Sequence, residues 1–322
     1  MVYKTQIIGF IFITFIVGFA IGQVIHISYG QDNAIKIKET RLAENYKFIN
    51  PLLECDANIG SFIPSRNLKS SVISYINSEK NAGNVNEVGV YYRDLNNGPT
   101  FGINDGEQFT PASLLKVPLM MVYLRLSEKD KELLNKKVTY SATESAFTQA
   151  IKPEIKLEYG KEYTVDELIT HMIRYSDNGA TSVLYTLIDK NKLKTIYDDL
   201  GVVITSDDID SSDVMTIKDY ASFFRILYNS SYLQRDNSEK ALQLLSQSTF
   251  EDGIVAGVPK GVVVAHKFGE RYYPQTRENQ LHDCGIIYKS SNPYLLCIMT
   301  KGDKLQNLEK IIRSISTIIY DH

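Results

Sequence analysis

The strand-like segments of this chain fall into two groups with a long helical middle between them, and few folds accommodate that order. Val88–Arg93 and Thr100–Ile103 flank the turn-rich Asn96-Asn97-Gly98 and predict a β-hairpin. Val262–Ala265, Gly285–Tyr288 and Tyr294–Thr300 form the second group, the last two separated by Ser290-Ser291-Asn292-Pro293. Between the groups, helical periodicity recurs over 113–127, 165–174, 178–189 and 217–228. Two further helices bracket the whole. Leu68, Val72, Tyr75 and Ile76 share a face over 65–80, and Leu305, Leu308, Ile311, Ile312, Ile315 and Ile319 share one over 303–320. Glu309, Lys310 and Arg313 on the opposite face make the last helix a packing element rather than a membrane span. A single antiparallel sheet flanked by helices, with an inserted all-α lobe, satisfies this order and defines an α+β class.

The totals exclude several functions. Lys+Arg 35 against Asp+Glu 38 argues against a polybasic nucleic-acid binder, and no nucleic acid is expected as a partner. Five scattered histidines without H-E-x-x-H give a zinc enzyme no support, so no metal or cofactor is expected. Gly253, Gly257 and Gly261 lack a following Lys-Ser/Thr and read as a loop before a strand. There is no G-x-S-x-G nucleophile elbow.

The first segment bears on the compartment. Ile7–Ile27 holds no Asp, Glu, Lys or Arg and is long enough to cross a bilayer, with Lys4 before it. A signal peptide cleaved after Ala20-Ile21-Gly22 is one reading. The apolar run continues through Val24 and Ile25 and overshoots an ordinary signal sequence, which favours an uncleaved anchor. Either way the remainder is expected outside the cytoplasm. The domain expectation is an anchor or signal segment over 1–30, a stalk and docking segment over 31–60, and one folded domain over 61–322. Within that domain, 61–108 and 255–322 make the sheet lobe and 109–254 the α-lobe. Outside the cytoplasm two of Cys55, Cys284 and Cys297 could pair, and the sequence does not choose which.

Three short motifs carry chemistry. Ser113-x-x-Lys116 opens a helical run, and residues at i and i+3 share a helix face, so the amine can reach the hydroxyl. A serine needs a base to become a useful nucleophile, and a desolvated lysine can be that base. Pro111 and Pro118 suit an opening turn that leaves the Ser113 N–H free for a developing oxyanion. Ser176-Asp177-Asn178 joins two helical patterns and could be a simple cap, or could supply a proton relay and a substrate-binding amide. His266-Lys267-Phe268-Gly269 follows an apolar run; on a strand Lys267 and Gly269 point alike and Phe268 oppositely.

Ser-x-x-Lys, Ser-Asp-Asn and Lys-x-Gly in this order, 63 and then 91 residues apart, resemble the signature of class A β-lactamases and penicillin-binding proteins. The resemblance runs from about residue 65 to 320 and includes VGVYYRDLNNG, YTVDELITHMIRYSDNGAT, LHDCGIIY and YLLCIMT. It implies a β-lactamase/transpeptidase-like fold with Ser113 as the acylated nucleophile, Lys116 as its base and Ser176 as the relay to the leaving nitrogen. It also places Asn178, Lys267, Gly269 and Glu270 at substrate-binding positions: Asn178 on the substrate amide, Lys267 on its carboxylate, and the Glu270 N–H with that of Ser113 in the oxyanion hole. Asp177 would brace the loop.

Two departures matter. Phe268 stands where the family has a threonine whose hydroxyl helps bind the carboxylate, and Arg277, Tyr272 or Tyr273 could compensate. The stretch VVITSDDIDSSDV holds no counterpart of the family's deacylating Glu; Asp207, Asp208, Asp210 and Asp213 are the available carboxylates. The expected function is an extracytoplasmic active-site-serine hydrolase acting on a β-lactam or related amide. A cell-wall D-Ala-D-Ala peptidase taking a peptidoglycan-type peptide is the alternative. A non-catalytic ligand-binding or sensor module on the same fold is a second.

Overall fold

The computed structural model describes residues 35–41, 46–59, 66–96, 100–142, 149–202, 214–290 and 292–322. The chain divides into two compact units, one of residues 1–38 and 55–64, the other of residues 39–54 and 65–322. Strands β1 (Ile35–Arg41) and β2 (Leu52–Ile59) form a two-stranded sheet, so the expected stalk carries regular structure. Its signal is the alternation of Ile35 and Ile37 with Lys36 and Lys38. The expected apolar span Ile7–Ile27 lies outside the described residues. Among the described residues no helix is long and apolar enough to cross a membrane.

The larger unit is built on a five-stranded antiparallel sheet. Strands β3 (Glu87–Asp94) and β4 (Thr100–Ile103) form the first hairpin. Short strands β6 (Lys137–Thr139), β7 (Glu162–Thr164) and β8 (Met215–Thr216) lie in the helical middle, outside this sheet. A second set, β9 (Val264–Tyr273), β10 (Glu278–Ile287) and β11 (Tyr294–Gly302), completes a sheet of order β4-β3-β11-β10-β9. The pairing of β11 with β3 joins the two ends of the domain across the whole helical middle, with Val90 opposite Ile298 and Tyr92 opposite Leu296. Strand β9 begins in the expected β-branched run and continues through Lys267-Phe268-Gly269 to form a hairpin with β10, which starts at Glu278, ahead of the expected Gly285. Its period-two pattern is hidden because its outer half is polar.

Both faces of the sheet are covered, which is why β11 reads as a continuous apolar run. Helices α1 (Arg66–Asn81) and α8 (Leu305–Tyr320) cover one face, burying Leu68, Val72, Ile76, Leu308, Ile311 and Ile315 against Val88, Val90, Leu296 and Ile298. The opposite face meets the helical lobe. This comprises α2 (Lys116–Ser127), α3 (Val165–Arg174), α4 (Asn178–Leu187), α5 (Lys190–Leu200), α6 (Ile217–Asn229) and α7 (Arg235–Leu245). The expected helix over 178–189 stops at Leu187 because Ile188 is extended and Asp189 caps α5, its carboxylate accepting from the Lys192 N–H at 3.0 Å. Gly201, left-handed at φ 72°, ends α5. Phe48 and Ile49 are buried, and the Glu239 carboxylate on α7 accepts the N–H groups of Lys47, Phe48 and Ile49 at 2.8, 2.9 and 3.0 Å.

Cys284 and Cys297 lie directly opposite each other on β10 and β11 and are joined by a disulfide. This resolves the pairing that the sequence left open. Alkylation in denaturant is predicted to modify one of the three cysteines without reductant and three after reduction. Modification of all three without reductant would contradict the assignment.

Candidate active site

The site is assembled where the edge strand β9 meets the turn that opens α2. A two-residue strand β5 (Gln108–Phe109) leads to Pro111, then to a 3-10 turn over Ala112–Leu115, and Lys116 begins the α-helix. The helix expected from residue 113 thus opens one turn tighter. Ala112 takes φ 49°, a left-handed conformation that costs a non-glycine residue about 1–2 kcal/mol and must be held by its surroundings. The holding contacts come from Thr110. Its N–H donates to Gln280 Oε1 at 3.1 Å, its hydroxyl hydrogen-bonds the Tyr273 hydroxyl at 2.5 Å, and its carbonyl accepts from His282 Nε2 at 3.0 Å. His282 Nδ1 in turn accepts the Thr300 N–H at 3.3 Å, which fixes the neutral tautomer; burial depresses its pKa to about 4. Of the three residues that clamp Thr110, Gln280 and His282 were not singled out in the sequence, and Tyr273 was singled out only for a different role. The available signal was the polar pair Gln280 and His282, spaced two apart on one face of β10.

The Ser-Asp-Asn tripeptide serves as both cap and site. Asp177 is the N-cap of α4 and accepts the Ala180 N–H at 3.0 Å, the bracing role expected of it. Ser176 takes φ 55°, which turns it out of the helical path, and it is fully buried. Two lysines converge on it. Lys116 Nζ donates to the Ser176 carbonyl at 2.6 Å, to Ser176 Oγ at 3.1 Å and to Asn178 Oδ1 at 2.7 Å. Lys267 Nζ donates to the same Oγ at 2.9 Å. Lys116, Ser176, Asn178 and Lys267, read from three separate motifs, therefore form one hydrogen-bonded cluster. Ser113 lies in the 3-10 turn immediately before Lys116.

Strand β9 approaches that turn closely. A Cβ on Gly269 would sit 2.8 Å from the Pro111 carbonyl oxygen and 3.1 Å from the Leu114 nitrogen, so only glycine fits between strand and turn. In register, Lys267 lies opposite Cys284 and Gly269 opposite His282, all on the face toward the helical lobe. Phe268 faces the other way, into the core beneath α1 and α8, as alternation predicts. Glu270 sends its carboxylate to the Ile151 N–H at 2.7 Å, while Gln149 Nε2 reaches the Ser176 carbonyl at 3.3 Å. The segment 149–151 is thereby tied to both walls of the site. The compensating groups suggested by the sequence are not brought to Lys267. The Tyr273 hydroxyl is engaged by Thr110, Tyr272 is half exposed, and Arg277 lies in the turn after β9. The four aspartates of 207–213 lie outside the described residues.

Burial dominates the electrostatics. It lowers the Lys116 pKa to about 7, with Asp177 and Glu270 pulling it partly back. Lys267 is pushed well below its ordinary value by burial and then by the neighbouring Lys116. Glu270 is raised by burial, against the opposing hydrogen bonds from Ile151 and Ala150 and the attraction of both lysines. The cluster thus holds an amine near neutrality beside a hydroxyl, the arrangement a general base requires.

Comparison with known proteins places this geometry in context. The model of the β-lactamase enzyme family matches residues 70–322, and the chain belongs to that family. It is 30% identical over 97 residues to β-lactamase SME-1 of Serratia marcescens, covering 30% of this chain and 32% of that one. It is 34% identical over 98 residues to β-lactamase ROB-1 of Haemophilus influenzae, covering 30% of each. These alignments span about a third of the relatives' length. Solved structures share the fold: PBP-A, TM-score 0.66 at 20% identity over 80% of this chain and 96% of that one, and a class A β-lactamase from Mycobacterium abscessus, 0.66 at 22% over 78% and 97%. A point mutant of PBP-A has also been solved as an acyl-enzyme complex with penicillin G.

The close approach at Gly269 makes a direct prediction. Gly269→Ala forces backbone apart at Pro111 and Leu114 and is expected to cost about 1–3 kcal/mol, a loss of several degrees in a thermal melt. An unchanged melting temperature would contradict the contact.

Proposed function

We propose that this protein is an acyl-serine hydrolase of amide bonds, β-lactams among them. The observation that carries the reading is the Lys116 amine, buried, near neutrality, and held by Ser176 and Asn178 three residues beyond Ser113. In the proposed step Lys116 takes the Ser113 proton as Oγ attacks the substrate carbonyl carbon. The C–N bond breaks, the proton passes through Ser176 to the leaving nitrogen, and an acyl ester of Ser113 remains. The N–H groups of Ser113 and Glu270 receive the oxyanion. Asn178, whose Oδ1 is engaged by Lys116, keeps its amide hydrogens for a substrate carbonyl. Water then cleaves the ester and regenerates the serine. Similarity in fold to the penicillin acyl-enzyme of a PBP-A point mutant supports the covalent intermediate.

The sequence between 202 and 214 supplies no Glu to activate that water, which favours slow deacylation and a second reading, a penicillin-binding D-Ala-D-Ala peptidase. We place the domain outside the cytoplasm, anchored by Ile7–Ile27. That apolar run and the Cys284–Cys297 disulfide, a bond of oxidising compartments, support the placement.

Intact mass after incubation with penicillin tests the reading. One adduct is expected, absent in Ser113→Ala; a transient adduct marks a β-lactamase and a lasting one a peptidase. Because the base must be the neutral amine, acylation should be slow below the Lys116 pKa, rise through about pH 7 and level above it. Lys116→Met should slow it by about 10²–10⁴-fold. Labelling of Ser113→Ala at the wild-type rate would refute the proposal.

A further inference from the structure

Lys267 is committed to the protein itself. Its ammonium donates to Ser176 Oγ at 2.9 Å and to the Phe268 carbonyl at 2.9 Å. Its remaining side lies over the Phe268 ring, 4.1 Å from the centroid. An ammonium carries three N–H donors, and two oxygens and one aromatic face account for them. The Phe268 ring is itself fixed, stacked on Phe250 with centroids 4.3 Å apart and planes 29° from parallel, both rings buried. The face of a phenyl ring is electronegative and attracts cations but not anions. A carboxylate approaching Lys267 would meet an occupied cation beside that ring. It would also meet the Glu270 carboxyl three residues along the same edge strand, which is tied down by Ile151. Arg271, four residues along from Lys267, sets its guanidinium over the Tyr273 ring.

We propose that Phe268 sets the substrate range of this site: by holding Lys267 for internal use, it removes the advantage that a carboxylate beside the scissile bond would otherwise give an amide or ester donor, so donors without that anion acylate Ser113 as readily. The proposal rests on the acyl-serine reading above and names its substrate class. Lys267 then acts as a positioning residue that orients Ser176, and the anion grip expected of it is absent by construction.

Penicillin G and its methyl ester present one β-lactam with and without the anion, so the full chain can be tested with both. Acylation rates are read by intact mass, which does not depend on deacylation. Wild type is expected to react with the ester at least as fast as with the acid. Phe268→Thr frees the ammonium face and adds a hydroxyl, and should raise the acid-to-ester rate ratio by about tenfold or more, the worth of one charge-assisted hydrogen bond. Phe268→Leu, which keeps the burial but removes the ring face, should move the ratio in the same direction. A wild-type rate faster with the acid than with the ester overturns the proposal, as does an unchanged ratio in both variants. Should Phe268→Thr fail to fold, the wild-type ratio alone decides. No adduct with either donor contradicts the acyl-serine reading and this proposal together, whereas an adduct formed faster from the acid contradicts this proposal alone.

Discussion

One buried hydroxyl shared by two lysines is the contact on which the rest of the site depends. Ser176 Oγ accepts from Lys116 at 3.1 Å and from Lys267 at 2.9 Å, with all three side chains out of water. Two ammonium charges held to one oxygen repel each other, and neither is solvated. The arrangement is relieved when an amine gives up its proton. The repulsion weighs on Lys267, whereas burial is what makes Lys116 a base, so the property needed for chemistry follows from packing rather than from any residue being unusual by type.

Keeping the cluster in place requires support from distant parts of the chain. The β9–β10 register sets Lys267 and Gly269 toward the helical lobe, and the bare glycine lets the strand close on the Pro111–Leu114 turn. Thr110 is held from three directions by Gln280, Tyr273 and His282, which secures the left-handed Ala112 ahead of Ser113. Asp177 caps α4 and thereby frees Ser176 to leave the helical path. A slip of one residue in β9 would exchange Lys267 for Phe268 on the working face.

Much of this was legible in the sequence. Periodicity located α1, α3, α6 and α8 to within a residue or two, and the order of strands and helices implied one sheet with a helical insert. The three motifs named Lys116, Ser176, Asn178 and Lys267, which the fold brings together. What remained hidden depended on partners remote in sequence. Tyr273 on β9 and Gln280 and His282 on β10 acquire a role only when these strands lie beside the Thr110 turn, and the two-residue spacing of Gln280 and His282 was the one local sign of it. The hairpin after Gly269 was obscured because its outer half faces water with polar residues on both sides. Helix α5 had its Asp189 cap and Gly201 terminus in plain view, but its sparse apolar stripe of Leu193, Ile196, Tyr197 and Leu200 did not register as a separate element. Phe268 was recognisable as a departure, yet its meaning needed the Phe250 stack and the Lys267 ammonium above it.

Packing, rather than residue type, makes Lys116 an amine near neutral pH. A ¹³C NMR titration of the lysine Cε resonances, with Lys116 assigned by its loss in Lys116→Arg, tests this directly. The account predicts a resonance titrating near pH 7, far from the bulk of the lysines. Titration of Lys116 with the bulk, in the ordinary lysine range of about 10.4, would contradict it.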